Sequence, residues 1–215
     1  MNPKPSDPPA AGDADAGSAP YADHIPVSDA TLSLARANVV AIALLPAMTV
    51  AFLAPTALLY GWDALGAGFR AAIHPWLFIP VLLVAIVVHE LLHAVGYRYV
   101  GGVPRAAIRF GMNWKALAPY AHCAAPMTAR AYVLSAALPL IVLGIVPNLA
   151  GLITGAGWLV FWSFFLSIAA SGDIAILWAI RAVPAAAIVR DHPSRAGCEV
   201  LAPVPAGGTT GNTGE

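Results

Sequence analysis

Between Arg130 and Asp173 this chain runs for 42 residues without a charged or histidine side chain. The hydrocarbon core of a bilayer takes about 20 residues of helix. One uncharged stretch of that length therefore reads as two membrane spans, with Gly151-Leu152-Ile153-Thr154-Gly155-Ala156-Gly157 as the turn between them. Composition agrees. Hydrophobic residues make up 59% of the 215 and charged residues 10%, against about 25% charged in ordinary soluble domains. Mean hydropathy is +0.74. The expected class is an all-α integral membrane protein of about four transmembrane helices.

The spans fall at about 39–60, 76–99, 131–150 and 158–180. Pro46 and Pro55 in the first are tolerated in a helix bundle. Asp173 interrupts the fourth. Residues 1–27 are rich in Pro, Ala, Gly and Asp and read as a disordered tail. Ser28 is placed to cap a short helix through Ala37. The transmembrane domain then covers 28–200, and 201–215 form a second disordered tail. The middle loop, 101–128, is too apolar for a plain linker. Its segments 106–112 and 117–122 read as a small β-hairpin or re-entrant element.

With four spans, both tails and the middle loop share one side. Of the 11 Lys and Arg residues, only Arg70 falls on the other. The positive-inside rule then places both termini in the cytoplasm, most simply at a plasma membrane. Net charge is zero with no basic block, which excludes nucleic acid as a partner. No glycine-rich phosphate loop is present, which excludes a nucleotide. The two cysteines, Cys123 and Cys198, have no metal-type spacing and form no disulfide framework.

Within the second span stands His89-Glu90-Leu91-Leu92-His93. Histidines at i and i+4 share one helix face, so both imidazoles can hold one Zn²⁺, with the intervening Glu as general base toward water. With six His in the chain, this pattern arises by chance in about 0.2% of such sequences. Ionisable groups in hydrocarbon are functional by default.

A catalytic zinc takes three protein ligands and a water. The candidates for the third are Asp63, His74, His122, Cys123, Asn148, Asp173, Asp191, His192 and Cys198. Depth separates them. His89 and His93 lie roughly 8–14 Å below the end of their span at Arg98, and Asp173 lies roughly 12 Å below the end of its span at Arg181. Asn148, Asp63 and His74 sit at the wrong depth. Glu90 and Asp173 are the only acids in the spans, and no Lys or Arg there can pair with them. A divalent metal offsets the cost of burying such groups. Asp173 is the expected third ligand, with His122 as the alternative third or auxiliary ligand.

An HExxH in one transmembrane helix, with an Asp from a later helix at similar depth, resembles the site-2 protease arrangement. More closely, residues 82–200 resemble the zincin peptidase family once catalogued as a domain of unknown function, DUF3267. The motifs are His89-Glu90-Leu91-Leu92-His93, Tyr120-Ala121-His122-Cys123, Pro139-Leu140, Ser171-Gly172-Asp173-Ile174, and Asp191-His192-Pro193 with Gly197. The resemblance implies zinc held by His89, His93 and Asp173, with Glu90 as general base. It departs from site-2 proteases at Gly172-Asp173-Ile174, where an Asn/Pro-rich segment ending Leu-Asp-Gly is usual. The expected activity is intramembrane zinc proteolysis of a membrane protein or peptide, with His122 assisting zinc at the developing oxyanion. The competing readings are a regulatory membrane protein with a relic metal site and, behind it, a metal transporter.

Overall fold

A computed structural model describes residues 21–114 and 118–204. Of the tails expected at 1–27 and 201–215, residues 1–20 and 205–215 lie outside the described residues, as do 115–117 of the middle loop. In chain order the elements are β1 His24–Leu32, α1 Leu34–Ala72, α2 Pro75–Val95, β2 Ile108–Asn113, β3 Ala118–Cys123, β4 Met127–Thr128, α3 Ala129–Pro139, α4 Val146–Thr154, α5 Gly157–Ala169, α6 Ser171–Ile180, β5 Ile188–Asp191 and β6 Ala196–Pro203. A π-helical turn, Gly96–Val100, extends α2, and another, Leu140–Ile145, joins α3 to α4.

The chain is mostly helical. Three helical stretches, Ala35–Ala72, Pro75–Val100 and Ala129–Thr154, are long and apolar enough to cross a membrane. The pair α5 and α6 makes a fourth only if it is counted as one span, for it bends by 49° at Ala170. The fourth span, expected over 158–180, is thus built of two helices. The break falls at Ala170, which closes α5 with φ −78° and ψ 6° and bonds its N–H back to the Leu166 carbonyl. In α1, Gly61 adopts φ 83° and ψ 161°, outside the helical region, and ends the straight segment where the first span was expected to end. The part of α1 beyond it packs with Leu65 and Phe69 against Val160 of α5. The outward faces of these helices are apolar, with Leu58 and Trp76 exposed by 85% and 86%.

The all-α expectation needs the larger correction. The hairpin is present, with β2 and β3 paired antiparallel from Ile108 opposite Cys123 to Asn113 opposite Ala118. A second, four-stranded antiparallel sheet was not foreseen; its order is β1-β6-β5-β4. Residues 24–27, placed in the N-terminal tail, belong to β1, and 201–203, placed in the C-terminal tail, belong to β6. Ser28 lies in β1, so it caps no helix. Ser33 caps α1 instead, its side chain accepting from the Arg36 backbone N–H at 3.3 Å.

The sheet gathers the segments that precede α1, precede α3 and follow α6 at one end of the helices. Beneath it lies the main core, where Ala30, Cys198 and Val189 from the strands meet Tyr132, Ile180 and Tyr97 from the helices. This core joins both sheets to α2, α3 and α6, the three helices that carry the site.

Candidate metal centre

His89 and His93 lie one turn apart on α2, as their spacing dictates. Their ring centroids are 4.9 Å apart, and their Nε2 atoms are separated by 3.2 Å. His93 is buried. Its Nδ1 stands 3.1 Å from the backbone carbonyl of Ser135 on α3. A carbonyl only accepts, so Nδ1 carries a proton, and in the neutral ring Nε2 keeps its lone pair. The carbonyl is free to accept because of Pro139. In a regular helix the N–H of residue 139 would bond to the carbonyl of residue 135, and proline has no N–H.

The third group comes from α6. The chain breaks at Ala170, and Asp173 falls in the first turn of the new helix, where an acid is favoured by the helix dipole. Its Oδ1 lies 3.3 Å from His93 Nε2, and its Oδ2 lies 3.1 Å from His89 Nε2. Oδ2 is buried and, among the described residues, has no hydrogen-bond donor of good geometry, the His89 imidazole included. One donor atom each from His89, His93 and Asp173 lies within 4.8 Å of the others. Three lone-pair atoms thus converge from two helices, one of them a buried carboxylate oxygen lacking a hydrogen-bond donor. That donor set fits a divalent cation of zinc type.

Glu90 and the three donors line one cavity of about 1010 Å³. Strand β3 forms part of its wall, and the Ala121 backbone N–H is directed at the Glu90 carboxylate. His122 lines the same cavity but is not among the converging donors. Its Nδ1 lies 3.5 Å from Oδ2 of Asp191. Asp191 is buried at the end of β5. It accepts from the Tyr132 hydroxyl at 2.6 Å and from the Cys123 backbone N–H at 2.8 Å. Burial pushes its carboxyl above the usual carboxylate range, against the pull of those two donors.

The other sequence candidates fall elsewhere. Asn148 joins helices, donating to the Phe52 carbonyl at 3.2 Å and to Ser163 Oγ at 3.0 Å. Asp63 and His74 are outside the converging group. Asp29, His192 and Glu199 form a second cluster on the sheet. There Arg195 binds Asp29, Arg190 binds Glu199, and His192 Nδ1 accepts from the backbone of Ser194 and Arg195. Those atoms are already engaged. Sequence reasoning missed Ser135 and Tyr132. Ser135 acts on His93 through its backbone, which leaves no side-chain signature. The usable signal was Pro139, four residues on.

No curated protein and no solved structure matches this chain. A family match does exist, to the family described as "Putative zincin peptidase", and it covers residues 82–188. That stretch contains His89, Glu90, His93, Pro139 and Asp173. Over residues 82–188 the chain belongs to DUF3267, the family of putative zincin peptidases.

Proposed function

We propose that this protein is an integral membrane zinc endopeptidase that hydrolyses peptide bonds in or near membrane-embedded segments of protein substrates. The convergence of His89, His93 and Asp173 beside Glu90 carries this reading. His89 and His93 would hold the ion through Nε2 and Asp173 through its carboxylate. Bound zinc supplies Lewis acidity, polarising a carbonyl and acidifying a water. Glu90 takes the proton of the attacking water and returns it to the leaving amine. His93 is kept in one tautomer by the Ser135 carbonyl throughout.

The membrane setting draws support from the apolar outer faces and from topology. β1 before α1, β4 before α3 and β6 after α6 share one sheet. A sheet on one side of a membrane fits an even number of crossings, which supports counting α5 and α6 together as one. With the Lys and Arg residues concentrated on the sheet side, both termini are cytoplasmic. The site then lies within the bilayer, near its cytoplasmic face. Its substrate is a membrane-spanning segment, unwound to enter the cavity and steadied by strand addition to the β2–β3 hairpin.

Elemental analysis and cleavage assays on purified wild type, Glu90→Gln and His93→Ala test this. Wild type and Glu90→Gln should carry near-stoichiometric zinc, His93→Ala should not, and only wild type should cleave. Turnover by Glu90→Gln at the wild-type rate would refute the mechanism.

A further inference from the structure

We infer that His122, held by Asp191, donates a hydrogen bond from Nε2 to the carbonyl oxygen of the scissile peptide as that oxygen gathers negative charge. The inference rests on the peptidase reading above. It adds a second polar group from the hairpin and assigns a positioning role to a residue of β5, outside the family match.

Asp191 is the starting point. It is 8% exposed, and a buried carboxylate must be hydrogen-bonded and balanced in charge. Tyr132 and the Cys123 N–H supply neutral donors. Among the described residues its one ion-pair partner is His122, at 3.5 Å through Nδ1. The electrically neutral form of this pair keeps one proton between Oδ2 and Nδ1 and one on Nε2. Burial pushes the Asp191 carboxyl up, and an Oδ2 that keeps its proton can donate it to Nδ1, which is the pairing in which the imidazole carries its own hydrogen on Nε2.

Position follows from the rings behind the pair. Tyr132 stacks on Tyr97 with centroids 6.3 Å apart, and Tyr97 stacks on His93 at 6.4 Å. Tyr132 also shares α3 with Ser135, which fixes His93. Asp191 is thus registered to a metal ligand through packed side chains, and His122 through Asp191. His122 and Glu90 line the same cavity, and with Nδ1 beside Asp191 the ring nitrogen of His122 left to meet a ligand there is Nε2. A fixed donor there is placed to stabilise charge that develops in the transition state.

The test uses the full chain in detergent, with zinc measured in every sample. The kinetic probe is a quenched fluorogenic peptide containing one apolar transmembrane segment. The binding probe is a phosphinate peptide, whose oxygens imitate the tetrahedral centre and whose affinity needs no turnover. Zinc content should be unchanged in His122→Leu, His122→Gln and Asp191→Asn. His122→Leu should lower kcat by about a hundred- to a thousandfold at constant KM and weaken phosphinate binding in parallel. His122→Gln, which keeps an N–H donor, should recover part of both. Asp191→Asn should lower kcat about tenfold when His122 is present and add nothing to His122→Leu.

Wild-type kcat and phosphinate affinity in both His122 variants would overturn the inference, as would loss of zinc in either. Additive losses in the double variant would reduce Asp191 to a structural residue and overturn its assigned role. Zinc-loaded wild type that neither cleaves nor binds phosphinate would sink the peptidase reading and this inference together. Wild type that does both, beside indifferent variants, would sink this inference alone.

Discussion

Gly96 of the π-helical turn lies directly against Ser135 of α3: a Cβ on Gly96 would stand 2.6 Å from the Ser135 Cα. No side chain fits there, and the atom it would strike is backbone, which cannot rotate away. This close approach lets α2 run near enough to α3 for His93, one turn earlier, to reach the Ser135 carbonyl. Gly96→Ala should force the helices apart, at a cost of about 1–3 kcal/mol. Zinc affinity should fall as well, by about 10- to 100-fold, because the ring loses its orienting partner. Thermal unfolding in detergent and zinc titration would check both.

Pro139→Ala should separate stability from metal binding. The new N–H at 139 can return to the Ser135 carbonyl as a normal helical bond and compete with His93 for it. Helix α3 should become more stable in the metal-free protein, by up to about 3 kcal/mol. Zinc should bind about tenfold more weakly. A variant with unchanged zinc affinity would show that the carbonyl accepts both donors.

Asp173→Asn preserves shape and removes the charge. In wild type, zinc at 100 times its dissociation constant should stabilise the fold by about 2.7 kcal/mol. The Asn variant should lose most of that shift at the same zinc concentration, and a chelator should erase it in wild type. Melting curves with and without zinc, at equal protein concentration, decide the matter.

The cysteines predict a pH effect of their own. Burial pushes both thiols, Cys123 and Cys198, up to about 12. In the unfolded chain a thiol ionises near about 8.5. The folded state therefore holds its thiol protons over a window in which the unfolded state releases them. Stability from this source is complete below about pH 8.5 and is lost as pH rises toward 12. At pH 8 both thiols should resist iodoacetamide in the folded protein and react on unfolding; rapid labelling of native protein would contradict the burial.

Local features were legible before any coordinates. Twenty apolar residues form a helix without knowledge of neighbours, and the i, i+4 spacing of His89 and His93 is a property of one helix. Depth reckoned from Arg98 and Arg181 pointed to Asp173, because two helices crossing the same slab share a scale. The apolar character of 106–112 and 117–122 pointed to a hairpin or re-entrant element, and β2 and β3 overlap those segments. The four-stranded sheet was not, since β1 pairs with β6 across almost the whole chain and neither strand carries a mark of its partner. The break at Ala170 was hidden too, because small residues permit a straight helix as readily as a bent one. The Asp191 network joins β5, β3 and α3, and no segment read alone contains it.

The pairing of β1 with β6, His24 opposite Pro203 and Leu32 opposite Ala196, turns the fold into a closed ring. The described chain starts and stops on adjacent strands, so a short linker between its ends would complete the circle. New termini could then be cut at a turn on the far side, such as Gly155, leaving every element in place. Such a circular permutant would also show which half of the ring must be made first for the site to assemble.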